Sequence, residues 1–471
     1  MKNKLVHNLS ANTLQLVINQ LFGLFIFYIL SVNLDKNSFG QVNLALAVLL
    51  SAFNILSFGI DQVVIKKVAH GDDAQAVLSL YVFHVILTGA FFYAILLIGK
   101  MFFVQDGDLY RLILLIGIGK LMMFFSTPLK QVTSGMERFK LLSSMLVVSN
   151  IIRGGGLIIL ALLHLVSITF IIGVFIAGDT IELLVSVYLF RKYIKIPVFA
   201  RWNKTAYLLL LRESLPQVGV VLITSALARF DWLFIGFMVS AVKLAEYSFA
   251  YKVFEISTLP LLAIAPLLIP KFTKLFKSGN SRPADLMLLI RIELVIAVFT
   301  GLLLNLCWNP VIDILTNGKY GAVNTHTIFI LSLCMPLLYF NNFLWTISFV
   351  QNRLKMIFHS FLITFGVNVI GDLVLIPIYK NEGAAIAFLL ACLVQSVFYC
   401  SKNQSFGFKG AFTSLIICTG CALISIFSAR FLFQNLWVAG ALSVMFYFVS
   451  LLITMQLRVD DCKSLIRILN S

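Results

Sequence analysis

The sequence predicts an all-α integral membrane protein with about fourteen transmembrane helices. Three observations predict it. Hydrophobic residues make up 60% of the 471 and charged residues only 12%, whereas a soluble domain carries roughly a quarter charged residues. Apolar runs of about 20 residues, enough to span roughly 30 Å of hydrocarbon, recur from end to end. The basic residues gather in alternate loops.

The composition fixes the solvent. A mean hydropathy of +0.98 over this length places most side chains against lipid or other apolar helices. Only helices and closed barrels satisfy the backbone there, and these runs are continuous where a barrel strand would alternate. The spans read as 9–32, 41–60, 78–104, 111–133, 141–163, 168–190, 215–240, 246–269, 286–308, 326–350, 356–378, 383–400, 411–433 and 437–457. The first run, from about Leu9 to Leu34, exceeds the h-region of a signal peptide, and no A-x-A-like site follows it. It reads as the first span.

A formal charge of +16 suggests either nucleic acid or an anionic membrane surface, and position decides between them. With a cytoplasmic N-terminus, the loops and termini on that side hold twenty-four basic residues, among them Lys66, Lys67, Arg138, Lys140, Arg191, Lys192, Arg353 and Lys355. The opposite side holds seven: Lys36, Lys100, Arg111, Lys243, Lys319, Lys380 and Arg430. Cytoplasmic loops carry such an excess of Lys and Arg, so both termini are expected in the cytoplasm. The basic balance is topology plus attraction to anionic membrane lipids, and nucleic acid is not a partner.

The longest polar gap, 190–214, separates six spans from the next six, and a final pair closes the chain. The expected organisation is an N-terminal lobe at 1–190, a basic amphipathic cytoplasmic linker at 191–214, a C-terminal lobe at 215–400, and two further helices with a tail at 401–471. Two bundles of similar size are what a parallel-repeat transporter shows, with its path between the halves. Direct self-similarity is weak, and the duplication rests on topology. No extramembrane segment has room for a soluble catalytic domain. The chain has no phosphate-cradling P-loop, H-E-x-x-H or G-x-S-x-G, so no catalytic residue, metal site or cofactor is expected. Energy then comes from an ion gradient, the membrane potential or the substrate gradient. Cys418 and Cys421 form a C-x-x-C inside an apolar run, where small core side chains are the expected role.

Ionisable groups inside spans cost at least ~2.5 kcal/mol near a helix centre, so they face a cavity or a partner. Nine stand out: Lys120, Arg153, Asp179, Glu182, Arg229, Asp231, Lys252, Glu255 and Asp372. Asp179 and Glu182 are three apart and share a helix face, as do Lys252 and Glu255, which can neutralise each other. Arg229 and Asp231 are two apart, and each needs a partner elsewhere. Arg153 and Asp179 lie at similar depth in adjacent antiparallel spans and can pair. One reading makes these charges structural bridges. The other makes Arg229, Arg153, Lys252 and Lys120 a cationic cavity for an anionic substrate, with Asp179, Glu182, Asp231, Glu255 and Asp372 as ion-coupling candidates. Arginine matches phosphate oxygens bidentately. Gly154, Gly155 and Gly156 beside Arg153 read as a hinge or as a site of close helix packing.

Longer patterns carry a resemblance. The stretch from Arg229, Asp231 and Gly236 through Ser240 to Leu244, Ala245, Glu246, Tyr247, Ala250, Tyr251, Lys252 and Glu255 resembles the seventh and eighth helices of polysaccharide-exporting flippases. Asn368, Asp372, Ile376, Pro377, Tyr379 and the run Gly383–Ala387 are similar to that family's eleventh-to-twelfth helix junction. Phe39-Gly40, Gly59, Asp61, Lys67 and the run from Gly135 to Phe139 resemble its first-half signatures. The family is the Wzx-like O-antigen flippases of the multidrug/oligosaccharidyl-lipid/polysaccharide exporter superfamily. The resemblance implies two six-helix lobes in a V around a cationic cavity, with two extra helices. It implies translocation of an undecaprenyl-diphosphate-linked oligosaccharide across the bacterial inner membrane, with a polysaccharide polymerase and a chain-length regulator as partners. The lumenal cation role carries over first to Arg229, then to Arg153 and Lys252. The first helix lacks the buried arginine of the superfamily's peptidoglycan-precursor flippases, which weighs against a lipid II substrate.

The competing readings are a cation-coupled small-molecule antiporter of the same superfamily, a polytopic polymerase or glycosyltransferase, and a non-transporting scaffold. Antiporter sites favour carboxylates and aromatics, whereas four of the nine charges here are cationic. Polymerases carry a sizeable periplasmic loop, which this chain lacks. A scaffold leaves the midplane charges unexplained.

Overall fold

Helix starts in this chain are written by short polar residues. Asp35 accepts from the Ser38 N–H at 3.0 Å, Asp73 from Gln75 at 2.9 Å and Asn203 from Ala206 at 3.1 Å. Asn435 accepts from both Trp437 and Val438. Each satisfies an N–H that the first helical turn leaves without a partner. The computed structural model describes residues 2–100, 107–200, 202–261, 272–273, 283–402, 409–433, 435–458 and 461. Arg201, the loop cations Lys271, Lys274, Lys277 and Arg282, and Cys462, Lys463 and Arg467 of the tail lie outside them.

Among the described residues there are no strands, and fourteen α-helices follow one another. They are α1 (Lys2–Asn33), α2 (Lys36–Leu56), α3 (Ile60–His70), α4 (Ala74–Gly99), α5 (Gly107–Gly135), α6 (Phe139–Leu162) and α7 (Ile168–Tyr193). Then come α8 (Lys204–Met238), α9 (Ala241–Ser257), α10 (Pro283–Thr316), α11 (Thr325–Val350), α12 (Leu354–Lys402), α13 (Lys409–Leu432) and α14 (Leu436–Ile453). Nine helices of the described residues are long and apolar enough to cross a membrane, and Ile18–Asn33 and Trp437–Ile453 are shorter apolar helices. The described part of each expected span falls mainly on a helix, two of them on α12, while residues 101–104 of the third span and 262–269 of the eighth lie outside the described residues. That 49-residue element reverses at Lys380, where φ is +53°. A Cβ on Gly371 would meet Ala387, and one on Gly383 would meet Leu375, as in an antiparallel hairpin. Large apolar side chains such as Phe431, Ile453 and Leu162 point outward, which suits a lipid solvent and not water.

The chain forms two compact units, Met1–Ala245 and Glu246–Ser471. In the first, α5 packs on α2, α3, α4 and α7, α6 packs on α1 and α7, and α8 packs on α2 and α3. In the second, α11 packs on α10 and α12, and α13 on α10 and α14. The unit boundary therefore lies beyond the polar gap at 190–214, because α8 already starts at Lys204 and belongs by its contacts to the first unit.

The α2–α3 break shows how sequence directs this packing. Phe58 and Gly59 both take positive φ, and a Cβ on Gly59 would lie 2.6 Å from Gln217 of α8. Glycine permits both the conformation and the approach. Gly154 rests on Phe22 of α1 and Gly156 on Val174 of α7, so the triple glycine serves close helix packing. Cys418 and Cys421 are buried in an apolar cluster with Val298, Leu302, Tyr447 and Leu451, as core side chains.

Candidate functional site

The densest intramembrane charge lies inside the first unit. Asp179 of α7 has no solvent exposure. Its Oδ1 accepts from the Arg153 guanidinium of α6 and from Ser149 Oγ at 3.1 Å. Its Oδ2 lies 3.3 Å from Lys120 Nζ of α5. One helical turn further, Glu182 pairs with Lys130 of α5. Arg153 also lies over the Phe175 ring, 4.9 Å from its centroid, which adds a cation–π contact to the ion pair. Small residues make room for the cluster: a Cβ on Gly178 would lie 2.8 Å from Arg153 Cγ, and one on Gly119 would lie 3.0 Å from Asp179 Oδ2.

Three cations thus share two carboxylates. Lys120 also lines a cavity of about 80 Å³ with Asn54, Ser57, Asp61 and Thr127. That volume and that polar lining suit a few waters. Asp61 accepts from the Tyr81 hydroxyl. His84 binds the Tyr207 hydroxyl at 2.9 Å and the Leu56 carbonyl at 2.8 Å, which ties α4 to α8 and α2.

The pairing expected of Arg153 with Asp179 is present, and Lys120 joins it. Lys252 and Glu255 pair at 2.8 Å along α9. Arg229 lies over the Trp232 ring at 4.3 Å, one turn along α8, and Asp231 accepts from the Trp232 N–H at 2.8 Å. Asp372 is fully buried on α12. Lys130, Glu246, Glu293 and Asp461 are buried charges outside the nine, and of these Lys130 and Glu293 lie within the body of an expected span. Lys130 lies three residues from the expected end of its span, where it reads as interfacial. Glu293 follows Arg291 at the start of another span, and the basic neighbour masks it. The signal in both cases is the same, a charge within an otherwise apolar run.

Long apolar helices in two compact units, with ionisable side chains built into the helix interior and no soluble domain among the described residues, define a multi-span membrane protein with a transporter-like fold. The family model of polysaccharide biosynthesis proteins matches residues 5–276. The chain belongs to that family. No curated protein sequence gives a match. Among solved structures, the fold is similar to that of the lipid II flippase MurJ in an inward closed conformation, with TM-score 0.74 and 11% identity over 94% of this chain and 98% of that one. It is similar to a multidrug resistance MATE family transporter in an inward-facing conformation, with TM-score 0.62 and 13% identity over 84% and 99%. A MOP superfamily transporter from Pyrococcus furiosus aligns at TM-score 0.51 and 14% identity over 86% and 96%. At these identities the likeness is one of fold, shared with a flippase and with transporters.

Proposed function

We propose that the protein flips an undecaprenyl-diphosphate-linked oligosaccharide, an O-antigen unit or a related surface polysaccharide repeat, across the bacterial inner membrane. Both termini face the cytoplasm in this reading, and a polymerase with its chain-length regulator receives the product. The observation that carries the proposal is the family match, joined to intramembrane cations on a flippase-like fold. A diphosphate headgroup with several sugars cannot enter hydrocarbon unaided. Alternating access with fixed cations lowers that barrier while the prenyl chain stays in lipid.

The cations divide by their surroundings. Arg153 and Lys120 are committed to Asp179, and their role in this proposal is to hold a positive interior. The diphosphate is assigned first to Arg229 and then to Lys252, following the family resemblance, and Lys252 would exchange its Glu255 pair for a phosphate oxygen. Asp179, Glu182 and Glu255 are engaged by cations, and all five carboxylates, Asp231 and Asp372 included, remain coupling candidates in this proposal. The test is surface glycan per unit of folded protein. Arg229→Lys is expected to keep part of the export and Arg229→Ala to lose nearly all of it at unchanged abundance. An alanine variant with normal abundance and normal export would remove Arg229 from the site.

A further inference from the structure

The second unit holds a carboxyl that the account above does not use. Glu293, on α10, is 4% exposed. Its Oε1 has no hydrogen-bond partner, and among the described residues no cation lies within ion-pair distance of it. Asp179 and Glu182 of the first unit, by contrast, are gripped by lysine and arginine. Arg291 does not fill this role. It lies two positions away, on a different face of the helix, and its guanidinium is bound to Asp461 at 2.5 Å and directed to the Met455 carbonyl.

Among the described residues, the groups facing α10 leave Glu293 without a cation. The helices packed against it offer Tyr339 and Cys334 from α11, Cys418 and Cys421 from α13, and Tyr447 from α14. None of them is a cation. The charged residues of α13 lie at its ends, as Lys409 and Arg430 do. Tyr339, fully buried on α11, lies within electrostatic reach of Glu293, and its own hydroxyl lacks a well-formed hydrogen bond. An anionic carboxylate without a partner inside a membrane helix is among the most costly groups a protein can carry, whereas the neutral acid is tolerated. A metal ion requires several oxygens around it, and no cluster of three acidic, histidine or cysteine ligands exists among the described residues.

We propose that Glu293 is a proton-binding site of the second unit, neutral in the conformation described and deprotonated when α10 opens it to water. The proton is then a coupling ligand for the conformational cycle. Uptake neutralises Glu293 and favours the closed packing of α10 on α11, and release leaves an anion that this packing cannot hold. The idea rests on the transporter reading above, but its physical core does not need the substrate.

The experiment uses the full-length protein in lipid nanodiscs, with infrared difference spectra recorded through a pH titration. Wild type is expected to show the C=O stretch of a protonated carboxyl at neutral pH. Glu293→Gln, a neutral isostere, should remove that band at unchanged folded abundance, while Asp231→Asn and Asp372→Asn leave it in place. The second readout is glycan export against pH. A one-proton step allows up to about tenfold per pH unit; wild type should show several-fold dependence and Glu293→Gln a flat profile. A band that persists in Glu293→Gln overturns the proposal, as does a pH profile that this variant retains or that wild type lacks. Loss of the band from a protein that exports no glycan would instead count against the flippase reading and leave the protonation site standing.

Discussion

Asp179→Asn removes one charge and almost no volume, which makes it a clean probe of the first unit's ion cluster. The carboxylate is fully buried and engages Arg153, Lys120 and Ser149. Without it, two interior cations lose their counter-charge. Breaking a buried pair costs about 3–5 kcal/mol, because the surviving charge stays buried and uncompensated. For a unit running from Met1 to Ala245, each kcal/mol shifts melting by about 2–4 °C, so the expected loss is about 6–20 °C. The assay is thermal melting of detergent-purified protein together with its folded abundance in the membrane. Arg153→Met in the same background should cost less than the two single changes added together, since it removes one of the stranded cations. The structural reading fails if Asp179→Asn melts within about 2 °C of wild type, a shift below about 1 kcal/mol. Normal melting with lost export would make Asp179 a coupling residue.

Gly40→Ala should abolish most folded protein, because its Cβ would lie 1.8 Å from the Ala241 carbonyl oxygen, a backbone clash that no rotamer relieves. Gly23→Ala, with nothing within 4 Å, is the matched control and should extract as wild type does. Lys67 binds Glu213 at 2.8 Å with both side chains partly exposed, so Lys67→Gln should cost less than about 1 kcal/mol. The Glu213 hydrogen bond holds the Lys67 ammonium above its ordinary range. The pair's contribution is therefore complete below the unfolded lysine value of about 10.4 and is lost as pH rises through the higher folded value, where wild type and Lys67→Gln should melt alike. Reporter fusions after residues 205 and 460 should show cytoplasmic activity, and a periplasmic signal at either would overturn the orientation.

Much of the architecture was legible because charge is so scarce in this chain. Each polar interruption marks a membrane exit, and the helices follow from run length alone. Depth counting along adjacent spans was enough to pair Arg153 with Asp179, and three-residue spacing to pair Lys252 with Glu255. What escaped is what crosses between helices at unequal depth. Lys120 and Lys130 stand ten residues apart on α5, yet they serve carboxylates three apart on α7. No periodicity announces that a long side chain will reach along its neighbour. The boundary between the two compact units follows contacts that charge does not report. Charge records where the chain leaves the bilayer, whereas contacts record where α8 finds complementary surface, as Gly236 does against Leu44 of α2.

The first-half residues that resemble a flippase signature occupy helix crossings more than they surround a ligand. Gly40 meets the start of α9, Gly59 meets Gln217, Gly135 meets Ile65 and Val68, and Lys67 holds Glu213. Asp61 takes the Tyr81 hydroxyl. Apart from Asp61, which lines the small cavity beside Lys120, these contacts locate α2 and α3 against α5 and α8. A pattern kept for packing tolerates little change in residue size and says little about the sugar being carried. Substitutions at Gly40, Gly59 or Gly135 should therefore lower folded abundance and leave the preference among lipid-linked sugars unchanged in the protein that remains. Discrimination between sugars would then be carried by residues outside this signature.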